Sequence, residues 1–409
     1  MTMKIYTVGG YVRDQLLGIE SKDKDWVVVG ATPEQMLQLG YKAVGKDFPV
    51  FLHPKTKQEY ALARTERKTA VGYTGFSFNA SLDVTLEDDL MRRDLTINAI
   101  AQDEHGTIVD PYNGQQDIND RILRHVSPAF VEDPLRVLRV ARFAARFAHL
   151  GFSIADETLA LMQKITESGE ISALVAERVW QELHATLQTK NPEVFFKVLC
   201  DCGALKILFP EIDRLFGVPQ TKEYHPEIDT GVHTLMVLEQ AVKLSTDTEV
   251  RFAALVHDLG KGLTPQNEWP KHINHEQRGI EPVKQLCNRF KTPKSFRELA
   301  LIVTEYHLIY HRVEELKPAT VVKYLQLMDA FRRPERFEKF LLACEADSRG
   351  RTGWEDKAFK QPKIFRDYFK VANEVDYSQL KEQGLQGKEF ADGLTELKVK
   401  AVASIKNIN

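Results

Sequence analysis

Two aspartates one residue apart, Asp23 and Asp25, open the run Trp26-Val27-Val28-Val29, thirteen positions after a Gly9-Gly10 pair. The run is aromatic and β-branched and predicts a strand. Strand side chains alternate faces, so both carboxylates project from one side of one rigid element, with Cα atoms roughly 6.5–7 Å apart. Two hard divalent cations about 3.5–4 Å apart could share such carboxylates, as phosphoryl transfer requires. An Asp-x-Asp also suits a solvated strand start, so the rest of the chain must separate the two readings.

Around this pair, residues 1–125 read as mixed α/β. Lys4 to Val8 predicts a strand, Tyr11 to Leu17 a helix closed by Gly18, and Thr32-Pro33 a capped helix start. Phe48 to His53 and Glu59 to Ala63 predict paired strands, and residues 65–85, with Gly72 and Gly75, predict a mobile loop. Gly9-Gly10, between strand and helix, lets backbone approach a phosphate, and Arg13 follows in the first turn. A plain turn is the competing reading. Glu59 is a candidate third carboxylate and equally a strand-edge Glu.

The run Glu87 to Ala99 contains Arg92-Arg93-Asp94-Leu95-Thr96-Ile97-Asn98-Ala99. A surface helix laced with ion pairs is one reading. Two arginines bordering an apolar stretch also suit triphosphate binding. Taken in order, Gly9-Gly10-Tyr11-Val12-Arg13-Asp14, then Asp23-x-Asp25, then this run resemble the bacterial class II tRNA nucleotidyltransferases. These are the CCA-adding enzymes and related poly(A) polymerases, with a polymerase-β-like head. The resemblance implies that Asp23 and Asp25 are catalytic and hold Mg²⁺. It implies that Gly10, Arg13 and Arg93 contact the incoming nucleotide, and that the 65–85 loop serves addition of the last A.

From residue 126 helical periodicity dominates. Asp133 and Pro134 suit the cap and first position of a helix carrying Arg136, Arg139, Arg142 and Arg146 at spacings of three, three and four. A solvated basic face competes with an anion-binding one. Glu132-Asp133-Pro134-Leu135-Arg136 resembles the family's Glu-Asp-x-x-Arg motif, which reads the base. Asp133 would accept from the exocyclic amine of C or A while Arg136 donates to the ring nitrogen. Capping competes for the same carboxylate. By resemblance, Arg139 and Arg142 also bind the nucleotide.

Seven of the chain's twelve histidines follow: His225, His233, His257, His272, His275, His307 and His311. The stretch Ala253 to Gly262 holds adjacent His257 and Asp258 and resembles the HD-domain signature of metal-dependent phosphohydrolases. Imidazole and carboxylate suit a transition metal that activates water. The resemblance implies His233, His257 and Asp258 as ligands, with His257 and Asp258 catalytic. It also implies a nickel-stimulated subgroup with 2′,3′-cyclic phosphodiesterase, 2′-nucleotidase and phosphatase activities. HD sequences end their ligand set with a later Asp. His307-Leu308 supplies none, and Asp347 is expected to be a distant substitute at best.

The expected fold is therefore α+β: a nucleotidyltransferase head (1–125), a helical neck and body (126–225), an HD-type domain (226–350) and a helical tail (351–409). Expected partners are tRNA, CTP and ATP, with the tail against the tRNA elbow and a monomer or weak homo-oligomer. With 43% hydrophobic and 28% charged residues and no long apolar run, a soluble cytoplasmic enzyme without membrane contact is expected. Cys200, Cys202, Cys287 and Cys344 lack metal or redox spacing. A net charge of −3 argues against coating nucleic acid by charge alone. A poly(A) polymerase, an HD hydrolase or RNA-binding protein with a dead head, and a nonenzymatic RNA chaperone are the rival functions.

Overall fold

The computed structural model describes residues 3–21, 24–44, 50–68 and 76–406. Asp23, one of the two opening aspartates, lies outside the described residues. The chain separates into two compact units, Met1–Leu208 and Phe209–Asn409. The division into four segments expected from sequence is finer than this.

The first unit is built on a seven-stranded mixed sheet in the order β3-β4-β5-β2-β1-β8-β9. The strands are β1 (Lys4–Val8), β2 (Asp25–Val29), β3 (Lys42–Val44), β4 (Val50–Leu52), β5 (Glu59–Leu62), β8 (Ala101–Gln102) and β9 (Ile108–Val109). β1 and β2 are antiparallel with Val8 opposite Asp25, so the glycine turn after β1 and the carboxylate at the start of β2 share one sheet end. β2 and β5 are parallel with Trp26 beside Tyr60, and the register continues to place Glu59 beside Asp25. Alternation then sends Val27 into one core layer with Val8 and Ala63, and Val28 into the other with Tyr60 and Leu62.

Residues 65–85 differ from the expected loop. β6 (Thr65–Lys68) and β7 (Phe76–Asn79) pair antiparallel as a two-stranded ribbon, with 69–75 between them outside the described residues. The helix start at Thr32 is as expected. Thr32 Oγ1 accepts from Gln35 N (3.3 Å) while Gln35 Oε1 accepts from Thr32 N (2.9 Å), with Pro33 in first position.

The helix Leu135–Phe147 runs through the body of this unit and packs on the helices Ala176–Leu187 and Glu193–Asp201. Leu138, Val140, Ala141, Ala145 and Phe147 are wholly buried, which leaves the arginines as the helix's route to solvent and ligand. Asp133 is extended, Pro134 is already helical, and Asp133 Oδ1 accepts from Leu135 N at 3.0 Å.

The second unit is helical. Thr230–Leu244, Thr248–Val256, Lys294–His311 and Pro334–Arg349 pack on one another. Val237, Ala241, Ala254 and Ala346 meet at the centre, where small side chains let the helices approach. Gly260 is required for a similar reason: a Cβ there would stand 1.9 Å from the His275 carbonyl oxygen. The close approach brings His275 onto the turn that follows Asp258. The helices Gln361–Asn373, Ser378–Glu382 and Gly387–Lys406 complete the unit. Among the described residues, no helix is long and apolar enough to cross a membrane.

Candidate active sites

A cleft of about 540 Å³ in the first unit gathers most of the residues expected to act on a nucleotide. Gly9, Gly10, Arg13, Asp25, Arg93 and Asp94 come from the sheet end and its connections; Asp133, Arg136, Arg139 and Arg142 come from the long helix and its start. Among the described residues, nine arginines line the cleft against the carboxylates of Asp25, Asp94 and Asp133. Such a surface suits a polyanion.

Gly9 shows why glycine stands at the turn. Its φ is +69°, and a Cβ would lie 2.6 Å from Arg93 Nη1. The bare backbone thus admits the Arg93 guanidinium, which also donates to the Asn98 carbonyl (3.3 Å) and reaches Asp89 Oδ2 at 3.4 Å. Arg13 is buried. It donates to Asp14 Oδ1 through Nε and Nη2 (2.8 and 2.7 Å) and to Asn98 Oδ1 through Nη1 (2.5 Å). Burial pulls its pKa below the ordinary value.

The arginine stripe is ordered by acids. Arg139 Nε donates to Asp94 Oδ2 (2.7 Å), Arg142 Nε to Glu182 Oε2 (2.5 Å), and Arg146 Nη2 to Asp14 Oδ2 (2.9 Å). Asp94 also accepts from Asn98 Nδ2 (2.9 Å) and Leu95 N (2.9 Å). Burial would raise its pKa, but Arg139 and the Asn98 hydrogen bond outweigh that and hold the carboxyl well below the usual range. The Phe143 ring supports the stripe from within, 4.4 Å from the Arg142 guanidinium carbon and 5.2 Å from that of Arg13.

The two competing roles of Asp133 fall on different oxygens. Oδ1 caps the helix, while Oδ2 lies 3.5 Å from Arg178 Nη2. Arg136 is buried and donates to the carbonyls of Ala129 (3.0 Å) and Arg92 (2.5 Å). It clamps the start of the helix to the end of the Arg92-Arg93 turn. Asp25 is exposed at its strand end and lines the cleft; Glu59 is exposed one strand over and outside the lining. Arg92, one of the two arginines read from sequence as suited to triphosphate, and Asn98 of the same run also line the cleft, as do Arg64 and Arg178, which sequence reasoning passed over.

The second unit holds a cluster of buried imidazoles and carboxylates. His233 Nε2 is 3.1 Å from Asp347 Oδ1, and His257 Nε2 is 3.6 Å from the same oxygen. Asp258 Oδ1 lies 3.3 Å from His275 Nε2 and 3.7 Å from His307 Nε2. His311 Nε2 reaches Asp347 Oδ2 at 2.6 Å. Asp347 is therefore no distant substitute. The helix Pro334–Arg349 buries it among the histidines and supplies the late carboxylate expected to be missing.

Among the described residues, three sets of ligand atoms lie close enough to hold a cation: His233 with His257 and Asp347, Asp258 with His275 and His307, and His225 with Glu227 and His233. The donor set fits one. His257 Nε2 and Asp258 Oδ1 are buried without a hydrogen-bond partner, a costly state that a bound cation relieves. Burial lowers the His257 pKa, but Asp258 and Asp347 outweigh it and push the imidazole up to about 10. For His307 burial wins, and its pKa falls to about 3.

Further residues orient these groups. His233 Nδ1 is 3.0 Å from Glu227 Oε1 and 2.9 Å from the Gly350 carbonyl, two acceptors that favour a proton on Nδ1 and would leave the Nε2 lone pair to a cation. Lys261 Nζ lies 2.6 Å from Asp258 Oδ2 and donates to Gln220 Oε1 at 2.5 Å. His272 gives Nε2 to the Pro219 carbonyl (2.8 Å) and stands outside the three sets. Sequence reasoning passed over Glu227; Lys261, three residues after Asp258, falls within the Ala253 to Gly262 signature but was given no role of its own.

Three family models match the chain: the poly A polymerase head domain over residues 5–124, the "Probable RNA and SrmB- binding site of polymerase A" over 151–216, and the HD domain over 230–333. The multifunctional CCA protein of Thioalkalivibrio sulfidiphilus (strain HL-EbGR7) is 60% identical over 404 residues, covering 99% of this chain and 99% of that protein. This chain belongs to the multifunctional CCA protein family. The relative from Hahella chejuensis (strain KCTC 2396) is also 60% identical, over 100% of this chain and 96% of its own. Among solved structures, a CCA-adding enzyme with CTP matches with a TM-score of 0.66 and 22% identity, over 98% of this chain and 87% of that one. The Thermotoga maritima CCA-adding enzyme complexed with tRNA_CCA matches with a TM-score of 0.63 and 20% identity, over 98% and 92%. These structural likenesses establish that the α+β fold is the one shared by CCA-adding enzymes. In this chain the HD-domain match falls on the histidine-rich second unit and the polymerase-head match on the first.

Proposed function

We propose that this enzyme adds C, C and A in turn to the 3′ end of tRNA from CTP and ATP, without a nucleic-acid template. The observation that carries this reading is the cleft in which Asp25, the Gly9-Gly10 turn, Arg93 and the Asp133–Arg136 helix start converge. The tRNA 3′-hydroxyl attacks the α-phosphorus; the new O3′–P bond replaces the bond to pyrophosphate, which leaves. Asp25, with Asp23, would hold the Mg²⁺ that polarises the hydroxyl and offsets triphosphate charge. Gly9 and Gly10 admit the phosphates to the backbone, and Arg13, Arg93, Arg139 and Arg142 surround the charge that develops on pyrophosphate. Asp133 and Arg136 select C and A by their shared pattern of amine beside acceptor nitrogen. Glu59, in register with Asp25, is a candidate third carboxylate.

The second unit is read as a phosphohydrolase acting on 2′,3′-cyclic phosphates, 2′-nucleotides and simple phosphate esters. His233, His257, Asp258 and Asp347 would hold a transition metal, nickel among the candidates, which supplies an activated water. Water adds to phosphorus as the ester oxygen leaves with a proton, and Lys261 stands beside Asp258 to meet the phosphoryl charge. The enzyme is read as cytoplasmic and as a monomer or weak homo-oligomer, with the C-terminal helices toward the tRNA elbow.

The test is incubation with tRNA lacking its CCA end, supplying CTP and ATP separately and together. CTP alone should add the two C residues, and both nucleotides should complete the end. Extension of arbitrary RNA with ATP alone would overturn the reading in favour of a poly(A) polymerase.

A further inference from the structure

The cavity that reaches the histidine cluster is larger than a phosphate and a cation require. It encloses about 680 Å³, and its lining joins Asp258 and Asp347 to three aromatic side chains, Tyr224, Trp354 and Phe359, and to Arg351. Pockets of roughly 300–1,000 Å³ enclose whole small molecules.

Trp354 is placed by the same chain segment that completes the site. It follows Asp347 by seven residues, in the loop after the Pro334–Arg349 helix. That loop is tied to the ligand-bearing residues at two points. The Gly350 carbonyl accepts from His233 Nδ1 (2.9 Å), and Thr352 N donates to Glu227 Oε2 (3.3 Å). The indole is half-buried. The Arg351 guanidinium carbon is 5.1 Å from its ring centroid, the Lys357 ammonium 4.0 Å, and Phe359 lies 6.2 Å away at 39°. Lys357 is exposed and can swing into water at little cost. Arg351 Nε is buried with no hydrogen-bond partner among the described residues.

An indole flanked by a guanidinium, on the wall of a cavity that ends in phosphate-handling groups, has the parts that bind a base: a π face any base can stack on, and a cation for the anion it carries. We propose that Trp354 is the base-stacking platform of the second site, with Arg351 beside it. The site then prefers a nucleoside phosphate, or the terminal nucleotide of an RNA, over an aliphatic phosphate ester of the same leaving-group chemistry. This inference rests on the reading of the second unit as a phosphohydrolase.

The test compares full-length wild type, Trp354→Ala and Trp354→Phe on 2′-AMP and on glycerol 2-phosphate, which has no ring, with Mg²⁺, Mn²⁺, Ni²⁺ or Co²⁺. Urea unfolding of the same preparations serves as the check on folding. Trp354→Ala should lower kcat/KM for 2′-AMP by roughly 5- to 150-fold, mainly through KM, and Trp354→Phe should restore most of it. The loss on glycerol 2-phosphate should be at least about five-fold smaller. Equal losses on the two substrates, or none on either, would overturn the platform and leave the hydrolase reading standing. Equilibrium binding of 2′-AMP separates the remaining cases. Wild type that hydrolyses neither ester but binds 2′-AMP in a Trp354-dependent way overturns the hydrolase reading alone. Absence of both overturns the two together.

Discussion

Asp347 Oδ1 lies 3.1 Å from His233 Nε2, although 114 residues separate them in sequence. The contact closes a ring of buried imidazoles and carboxylates drawn from several helices. On the proposed reading of Asp347 as a metal ligand, replacing it by Ala should lower metal-dependent phosphate release at least about 100-fold. CCA addition should stay within about two-fold, because the nucleotide cleft belongs to the other unit. Parallel assays of phosphate release and CTP incorporation check both halves.

Glu227 acts one step further out. Its Oε1 is 3.0 Å from His233 Nδ1 and 3.1 Å from His225 Nδ1, and hydrogen bonds from the two rings keep its pKa low against the effect of burial. Glu227→Gln keeps the shape and removes the charge that fixes the His233 tautomer. Metal affinity should fall about 10- to 100-fold, with activity recovering as metal is raised. A metal titration of phosphate release reads this; a loss that excess metal does not rescue would assign Glu227 a different role.

Asp25 is exposed and supports no core, so its removal should be felt far more by chemistry than by stability. Asp25→Ala should abolish CTP and ATP incorporation into tRNA while changing stability by no more than about 0.5 kcal/mol. Urea unfolding beside the incorporation assay decides it, and retained incorporation would sink the assignment.

Asp94 gives a pH signature. Its folded pKa is depressed below 3.8, mainly by Arg139 and Asn98 acting against burial. A depressed carboxylate stabilises the fold above its unfolded pKa, and that contribution drains away as pH falls toward the folded value. Asp94→Asn should thus cost about 1.5–3 kcal/mol at pH 7. The gap from wild type should narrow below about pH 4, where the unfolded wild-type carboxyl takes up its proton. Urea midpoints at pH 7 and pH 3.5 measure the difference; a gap that widens in acid would contradict the pairing.

Much of the first unit was legible because its signals are local. The glycine turn, the Thr32 cap with Pro33 after it, and the Asp133-Pro134 helix start are each written within a few residues, and the structure starts helices at all three. The ribbon of β6 and β7 was not. Among the described residues its four-residue strands pair with each other alone, and glycines at 72 and 75 carry the stronger loop signal. Phe76-Ser77-Phe78-Asn79 does alternate, but over too short a window to compete. Asp347 lay beyond local reasoning altogether. Nothing near it in sequence marks a ligand, and only the packing of its helix against those of His233 and His311 brings it into place. Asp133 shows a third case: one side chain seemed to face two ways, and two oxygens resolve the conflict.

The pairing of Arg139, Arg142 and Arg146 with Asp94, Glu182 and Asp14 has a consequence for how the cleft fills. The wall resembles an ion-exchange resin already loaded with the protein's own carboxylates. A triphosphate does not fall into a bare positive well; it competes with tethered counter-ions that cannot diffuse away. Nucleotide capture then releases fewer solution ions than nine arginines would suggest, so its salt sensitivity is muted. When pyrophosphate departs, the same carboxylates are waiting to reclaim their cations, and the emptied cleft resets itself for the next nucleotide.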